Sequence, residues 1–419
     1  MTLKDYLAIF TNRRVGVVLV LGFASGLPLA LTGGTLQAWM TTAGVDLKTI
    51  GIFTLVGVPY TLKFLWAPFM DRFVPPWLGR RRGWMVATQV ALMLGIAAMG
   101  VGSPQHALWA LAALAVFVAF TSASQDIAFD AYRADVLRPV ERGVGAAVSV
   151  MGYRIAMLVS GAGALIMADH FGWHTTYLIL AGLMIVGVIA TLLGPEPDGH
   201  IAPPRTLQEA VTGPFKAFVS LHSVTGAVWI LLLIVLYKLG DAFAGTLSTA
   251  FLLRGVGFSL TDVGAVNKGM GLLALILGAL FGGALLPKLG LYRALMLFGV
   301  LQAVSNLSFM ALAWVGKSYA MLVVAVVFEQ VSGGMGTAAF VVLLMALCDH
   351  RYTATQFALF SAFAAFGRQY LGPPAGMLAD SLGWVIFFFI TTLAALPGLW
   401  LLWRMRGRIS ALEGAAPAT

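Results

Sequence analysis

Ala168-Asp169-His170-Phe171-Gly172-Trp173 and Ala379-Asp380-Ser381-Leu382-Gly383-Trp384 echo each other at four of six positions, 211 residues apart. The offset is half of a 419-residue chain. Each copy joins two long apolar stretches, so the repeat unit is several helices, not a small motif. A second echo lies earlier in each half. Ala67-Pro68-Phe69-Met70-Asp71-Arg72 runs on to Gly79-Arg80-Arg81-Arg82, and Leu285-Leu286-Pro287-Lys288 runs on to Gly290-Leu291-Tyr292-Arg293.

The composition says what the repeated helices are for. Hydrophobic residues make up 60% of the chain and charged residues 10%, against about 25% charged in a soluble domain. A soluble globular protein, a disordered tail and a collagen-like fibre are excluded. The single cysteine, Cys348, excludes a disulfide scaffold. A spanning helix needs about 20 apolar residues, and about twelve such segments are legible. In the first half they cover 15–40, 48–70, 84–102, 107–132, 143–168 and 174–194. In the second they cover 224–253, 261–287, 291–315, 318–347, 353–380 and 384–404. The polar break 195–223, which opens PEPDGHIAPPR, reads as a cytoplasmic linker between residues 1–194 and 224–419.

The net charge of +9 reports orientation, not nucleic acid. With the N-terminus placed inside, eighteen Lys and Arg fall on the cytoplasmic side and three outside (Lys48, Arg254, Lys317). That bias puts both termini in the cytoplasm. The first apolar run is too long for a cleavable signal, and no small-residue cleavage site follows it. Two parallel six-helix halves with pseudo-two-fold symmetry describe the major facilitator architecture, an all-α integral membrane fold of twelve helices. The loop of Asp71, Arg72 and Arg80 resembles that superfamily's loop signature. It assigns these residues to gating, with Asp135 at the cytoplasmic end of the fourth span as their partner. Arg80–Arg82 equally suit an anchor on anionic lipid.

Ionisable groups inside the bilayer are costly, so each is a functional candidate. On the fourth span, steps of four and three put Ser122, Asp126, Asp130 and Arg133 on one stripe. Asp126 lies deepest and is the first proton-coupling candidate. Asp130 and Arg133 read better as a structural pair. Lys238 and Asp241 sit three apart on the seventh span, either as a self-satisfied ion pair or as a pair that opens on protonation or ligand arrival. Glu329 and Gln330 lie midway along the tenth span, and Glu329 is the second proton carrier considered. The run Gly333, Gly334, Gly336 after them reads as helix packing. Arg154 and Arg368 occupy equivalent helices of the two halves. Two guanidinium groups would suit an anionic substrate, unless they only neutralise Asp126 and Glu329. Gln37, Tyr60, Tyr153, Asn267, Gln302, Asn306, Gln356 and Gln369 add hydrogen-bonding capacity for a sugar or peptide. Lys63 and Lys268 are expected to snorkel, and Trp39, Trp173 and Trp384 to anchor at the membrane edge.

His170 and His174 have i,i+4 spacing but flank a Gly-Trp turn, so a zinc reading is weak. There is no Walker-type phosphate loop. The residues point to a carrier, not an enzyme, with no cofactor, no metal and no nucleic-acid partner. One protomer suffices for such a carrier.

Several long segments go further. GFASGLPLALTGGTLQAWM (22–40), KFLWAPFMDR (63–72), SASQDIAFDAYRADVL (122–137), LLLIVLYKLGDAFA (231–244) and GGMGTAAFVVLLMALC (333–348) resemble the AmpG-type muropeptide permeases of the major facilitator superfamily. The resemblance covers most of the chain. It implies a transporter of the Gram-negative inner membrane that imports N-acetylglucosaminyl-1,6-anhydro-N-acetylmuramyl peptides (muropeptides) with protons. It further implies roles in cell-wall recycling and beta-lactamase induction, and it puts Ser124, Gln125 and Asp126 at the transport path. The residues themselves leave three alternatives open: an acyl-nucleotide carrier, an exporter of amphipathic drugs and a non-transporting receptor.

Overall fold

The computed structural model describes residues 12–73, 75–137, 142–195, 223–347, 360–365 and 369–414, and every regular element among them is helical. The described residues fall in two compact units. One lies within Met1–Val45 and Val56–Arg205, the other within Asp46–Leu55 and Thr206–Thr419.

The first unit holds α1 (Arg13–Thr42), the C-terminal part of α2 (Leu47–Leu62), α3 (Arg80–Val101), α4 (Leu108–Val136), α5 (Arg142–Met157) and α6 (Ala164–Leu193). A π-helical turn, Leu158–Gly163, joins α5 to α6. The second unit holds α7 (Val224–Val256), α8 (Leu260–Leu289), α9 (Leu291–Val315), α10 (Tyr319–Ala346), α11 (Gly372–Arg404) and a tail helix α12 (Arg406–Gly414). Nine described helical stretches are long and apolar enough to cross a membrane. Two of them are broken where Gly172 and Gly383 leave the helical region. The shorter apolar helix Leu47–Leu62 falls in the expected second span, while residues 353–359 and 366–368 of the expected eleventh lie outside the described residues.

The repeat is written in the backbone. Gly172 and Gly383 share φ 77°, with ψ 165° and 170°. Gly79 and Gly290, which precede α3 and α9, have φ 72° and 77° and again stand 211 residues apart. Left-handed φ is cheap only for glycine, so each half reuses the same turn where the chain doubles back. A third pair, Gly44 and Gly257, opens an echo that the sequence reading missed. Gly44-Val45-Asp46-Leu47-Lys48-Thr49-Ile50-Gly51 matches Gly257-Phe258-Ser259-Leu260-Thr261-Asp262-Val263-Gly264. In both, a residue two beyond the glycine caps the next helix: Asp46 accepts from the Thr49 amide, and Ser259 from the Asp262 amide.

The expected single span over 48–70 is instead a series of short pieces: Leu47–Phe53, Thr54–Gly57, Val58–Leu62, Lys63–Leu65 and Ala67–Arg72. Pro59 and Pro68 each sit at the start of a piece, where a missing N–H is tolerated but the preceding helix is interrupted. The first piece groups with the second unit. A Cβ on Gly376 would run into the Leu47 carbonyl oxygen, so backbone packs on backbone. The Lys48 ammonium meets Asp380 at 3.1 Å beside this crossing. Trp39 is buried and stacks on Trp173 at 5.9 Å.

Candidate functional site

In the first unit, α1, α4 and α5 enclose a cavity of about 430 Å³. Ser25, Asp126, Asp130, Arg133, Ser149, Tyr153 and Arg154 supply its polar lining. The stripe read from the fourth span accounts for three of them. Asp126 is 18% exposed and accepts a short hydrogen bond from the Ser25 hydroxyl. Asp130 is bound by Arg133 at 3.1 Å, and Arg133 also donates to the Ser149 hydroxyl at 3.0 Å. Asp130 and Arg133 thus form the ion pair that their spacing suggests.

Lys63 departs from expectation. It does not snorkel: its ammonium stands 3.9 Å from Asp126 and 4.0 Å from Asp130. The cause is the broken second span, since the short turn Lys63–Leu65 follows the interruption at Pro59. Arg154 is the complement. It lines the cavity and, among the described residues, makes no ion pair or hydrogen bond. Asp126 is thus not its partner, because Lys63 and Ser25 already occupy that carboxylate.

The neighbouring residues of α4 face elsewhere. Ser124 accepts from the Trp66 indole at 3.0 Å and donates to the Phe120 carbonyl at 2.8 Å. Gln125 is 1% exposed, and its side-chain oxygen has no hydrogen-bond partner. The Tyr60 and Ser122 hydroxyls are likewise buried without a partner of good geometry. Gln37 is half-buried on α1.

The second unit holds a charge cluster of another character. The chain leaves regular helix at Lys238, between Val224–Tyr237 and Leu239–Thr246. From this kink the Lys238 ammonium reaches Asp241 at 3.2 Å, the Gln302 side-chain amide oxygen at 2.9 Å and the Gly333 backbone carbonyl at 3.4 Å. Three acceptors match its three protons, which favours the self-satisfied reading of this pair. Lys268, also expected to snorkel, donates to Thr249 at 2.9 Å. Glu329, half-buried on α10 beside Gln330, lies within electrostatic reach of Lys268, Lys238 and Asp241. Asn267 is buried in the π-helical stretch Val263–Met270. Gly334 packs on the Leu275 carbonyl, as helix packing requires. Arg368 and Gln356 lie outside the described residues.

Of the gating candidates, Asp135 pairs with Arg81 at 2.9 Å. Arg82 caps the end of α6 through the Thr191 and Leu192 carbonyls, at 3.0 and 2.7 Å. The side chains of Asp71, Arg72 and Arg80 lie outside the described atoms. Among the described residues no group of three His, Cys, Asp or Glu could hold a metal ion.

Apolar helices, the same glycine turns in both halves and ionic groups held at mid-helix define a membrane carrier. Residues 18–368 match the Major Facilitator Superfamily. The anhydromuropeptide permease of Escherichia coli K12 is 56% identical over 400 residues, which cover 95% of this chain and 81% of the relative. A putative transporter, AmpG 4, of Rickettsia felis is 32% identical over 96% of this chain and 99% of its own. A bacterial homologue of the human lysosomal transporter Spinster shares the fold at TM-score 0.75 and 16% identity, covering 97% of this chain and all of its own. A D-xylose–proton symporter does so at TM-score 0.71 and 11% identity, over 94% of this chain and 97% of its own. The chain belongs to the Major Facilitator Superfamily and, within it, to the family of the anhydromuropeptide permeases. It is a multi-pass membrane transporter.

Proposed function

We propose that this transporter imports GlcNAc-anhydroMurNAc-peptides across the bacterial inner membrane, driven by protons. The observation that carries the reading is Arg154, a cation without a partner in a polar cavity, one wall away from the occupied carboxylate of Asp126. A muropeptide carries carboxylates on its stem and hydroxyls and amides on its sugars. A guanidinium binds a carboxylate through two parallel hydrogen bonds, while Tyr153, Ser149 and Ser25 offer partners for sugar oxygens. The 56% identity to a permease of that name supports the cargo.

In this mechanism Asp126 takes the proton. Protonation removes its charge, releases Lys63 and makes that ammonium available to a second anionic group. Asp130 stays paired with Arg133 and tunes the field. Glu329 is the second carrier, in a cluster where Lys238 and Asp241 neutralise each other. A net anionic ligand needs more than one proton to enter against a negative interior, which gives two acids a purpose. The remaining polar groups, Gln125, Ser124, Gln330, Gln37, Tyr60, Asn267 and Arg368, would orient the cargo. Asp71, Arg72, Arg80 and Asp135 would hold one access state. Residues 195–223 would link two six-helix halves on the cytoplasmic side, with both termini there, and one protomer would suffice.

The test is uptake of labelled GlcNAc-anhydroMurNAc-tripeptide into vesicles, with and without an imposed proton gradient. Accumulation that an uncoupler abolishes supports the reading. No uptake from correctly inserted protein rejects the cargo and favours an acyl-nucleotide or amphipathic-drug carrier.

A further inference from the structure

We propose that the end of α11 and the tail helix α12 hold the phosphate of an anionic membrane phospholipid. The site is a cavity of about 460 Å³ lined by Thr225, Trp229, Trp400, Leu401, Arg404 and Arg408, with Met405 and Gly407. It shares no residue with the cavity around Asp126.

The chain turns at Met405 between α11 and α12. Met405 and Ile409 are buried at 6% and 1% exposure in the apolar cluster of the second unit, and Leu412 packs on the same cluster. The tail helix is therefore docked, which fixes Arg408 beside Arg404 instead of letting it wander. Arg406 is turned away and lies 5.7 Å from the Trp403 ring. Arg404 and Arg408 make no ion pair or side-chain hydrogen bond among the described residues, and no carboxylate lines the cavity. Two uncompensated guanidinium groups facing one space repel each other unless an anion lies between them. A phosphate fits their planar forks, and the Thr225 hydroxyl adds a donor.

A lipid, not a soluble anion, follows from the walls. Trp229 and Trp400 flank the arginines and are 42% and 57% exposed. Indole rings at this level mark the headgroup layer. The same helices continue with exposed Val228, Leu232 and Leu396, a track for an acyl chain leading away from the arginines.

The experiment uses the full chain in phosphatidylcholine nanodiscs with a minor fraction of phosphatidylglycerol, and reads retained phosphatidylglycerol by native mass spectrometry. Wild type and Arg406→Gln should retain it. Each arginine near an anionic surface adds about fivefold, so the double variant Arg404→Gln/Arg408→Gln should lose about 25-fold. Equal retention by the double variant would overturn the site. Displacement of the lipid by millimolar inorganic phosphate would overturn the lipid assignment. Should the double variant fail to fold, a photoreactive phosphatidylglycerol on wild type decides. Labelling at the start of α7 or the end of α11 supports the proposal, and labelling only elsewhere rejects it.

Discussion

Lys63 stands between two carboxylates, 3.9 Å from Asp126 and 4.0 Å from Asp130. These are long contacts, at the edge of ion pairing, and Lys63 is 37% exposed. A tight buried pair would resist protonation, whereas a loose one lets Asp126 exchange its proton with the cavity. We expect Asp126→Asn to insert normally and still bind cargo, but to lose accumulation. At 100 mV one proton carries about 2.3 kcal/mol, equivalent to roughly fifty-fold concentration of a neutral ligand. The variant should bring the internal-to-external ratio of labelled muropeptide to one or below, since an uncoupled anion is held out by a negative interior. Wild-type accumulation would remove Asp126 from the coupling path.

Arg154 lines the cavity and Lys63 reaches its carboxylates, but they differ in state, one without a partner among the described residues and one engaged. Arg154→Ala should therefore weaken cargo binding more than Lys63→Ala. A hydrogen bond to a charged group contributes about 1.5–3 kcal/mol, so half-saturation should rise about ten- to a hundred-fold for Arg154→Ala. Lys63→Ala should instead alter the pH dependence of uptake. A larger binding loss for Lys63 would reverse the assignment.

The residues that the sequence made legible were those whose position depends only on helix geometry. The stripe Ser122–Asp126–Asp130–Arg133 follows from 3.6 residues per turn, and the pair Lys238–Asp241 from spacing of three. Lys63 and Lys268 were misread because snorkelling assumes an unbroken helix running to the interface. Proline interruptions turn Lys63 inward, and a π-helical stretch carries Lys268 to Thr249. Gln125 was legible as polar but not as a buried amide whose side-chain oxygen lacks a partner, since that depends on what packs around α4. The echo of Gly44–Gly51 in Gly257–Gly264 was missed because it lies in φ signs and helix caps, with few identical residues.

The cluster at Lys238 makes a different kind of prediction. Its ammonium is satisfied by Asp241, Gln302 and the Gly333 carbonyl, so removing it strands a carboxylate and an amide in the bundle. Breaking one partner of a buried pair costs about 3–5 kcal/mol. At 16% and 22% exposure, the lower end applies. Lys238→Met should reduce thermal stability in detergent, and Lys238→Met/Asp241→Ala should recover most of the loss. A double variant no more stable than the single would mean that Lys238 does not act by neutralising Asp241.

The capping pair gives a test with a defined pH dependence. Asp46 caps Leu47–Phe53 by accepting from the Thr49 amide at 2.9 Å and the Thr49 hydroxyl at 2.6 Å. The Thr49 hydroxyl and amide bonds hold the Asp46 carboxyl below its usual pKa. A depressed folded-state value contributes stability that is present above the unfolded pKa, about 3.9, and is lost as pH falls through the folded value. Asp46→Ala should cost about 1 kcal/mol at neutral pH. Asp46→Asn keeps an acceptor and should match wild type there. Below about pH 4, wild type should lose its advantage over Asp46→Ala, while Asp46→Asn keeps most of its own. Melting curves of the three proteins across that range decide it. Parallel curves at every pH would show that Asp46 is not held as an ionised cap, and that the match with Ser259 is one of backbone shape alone.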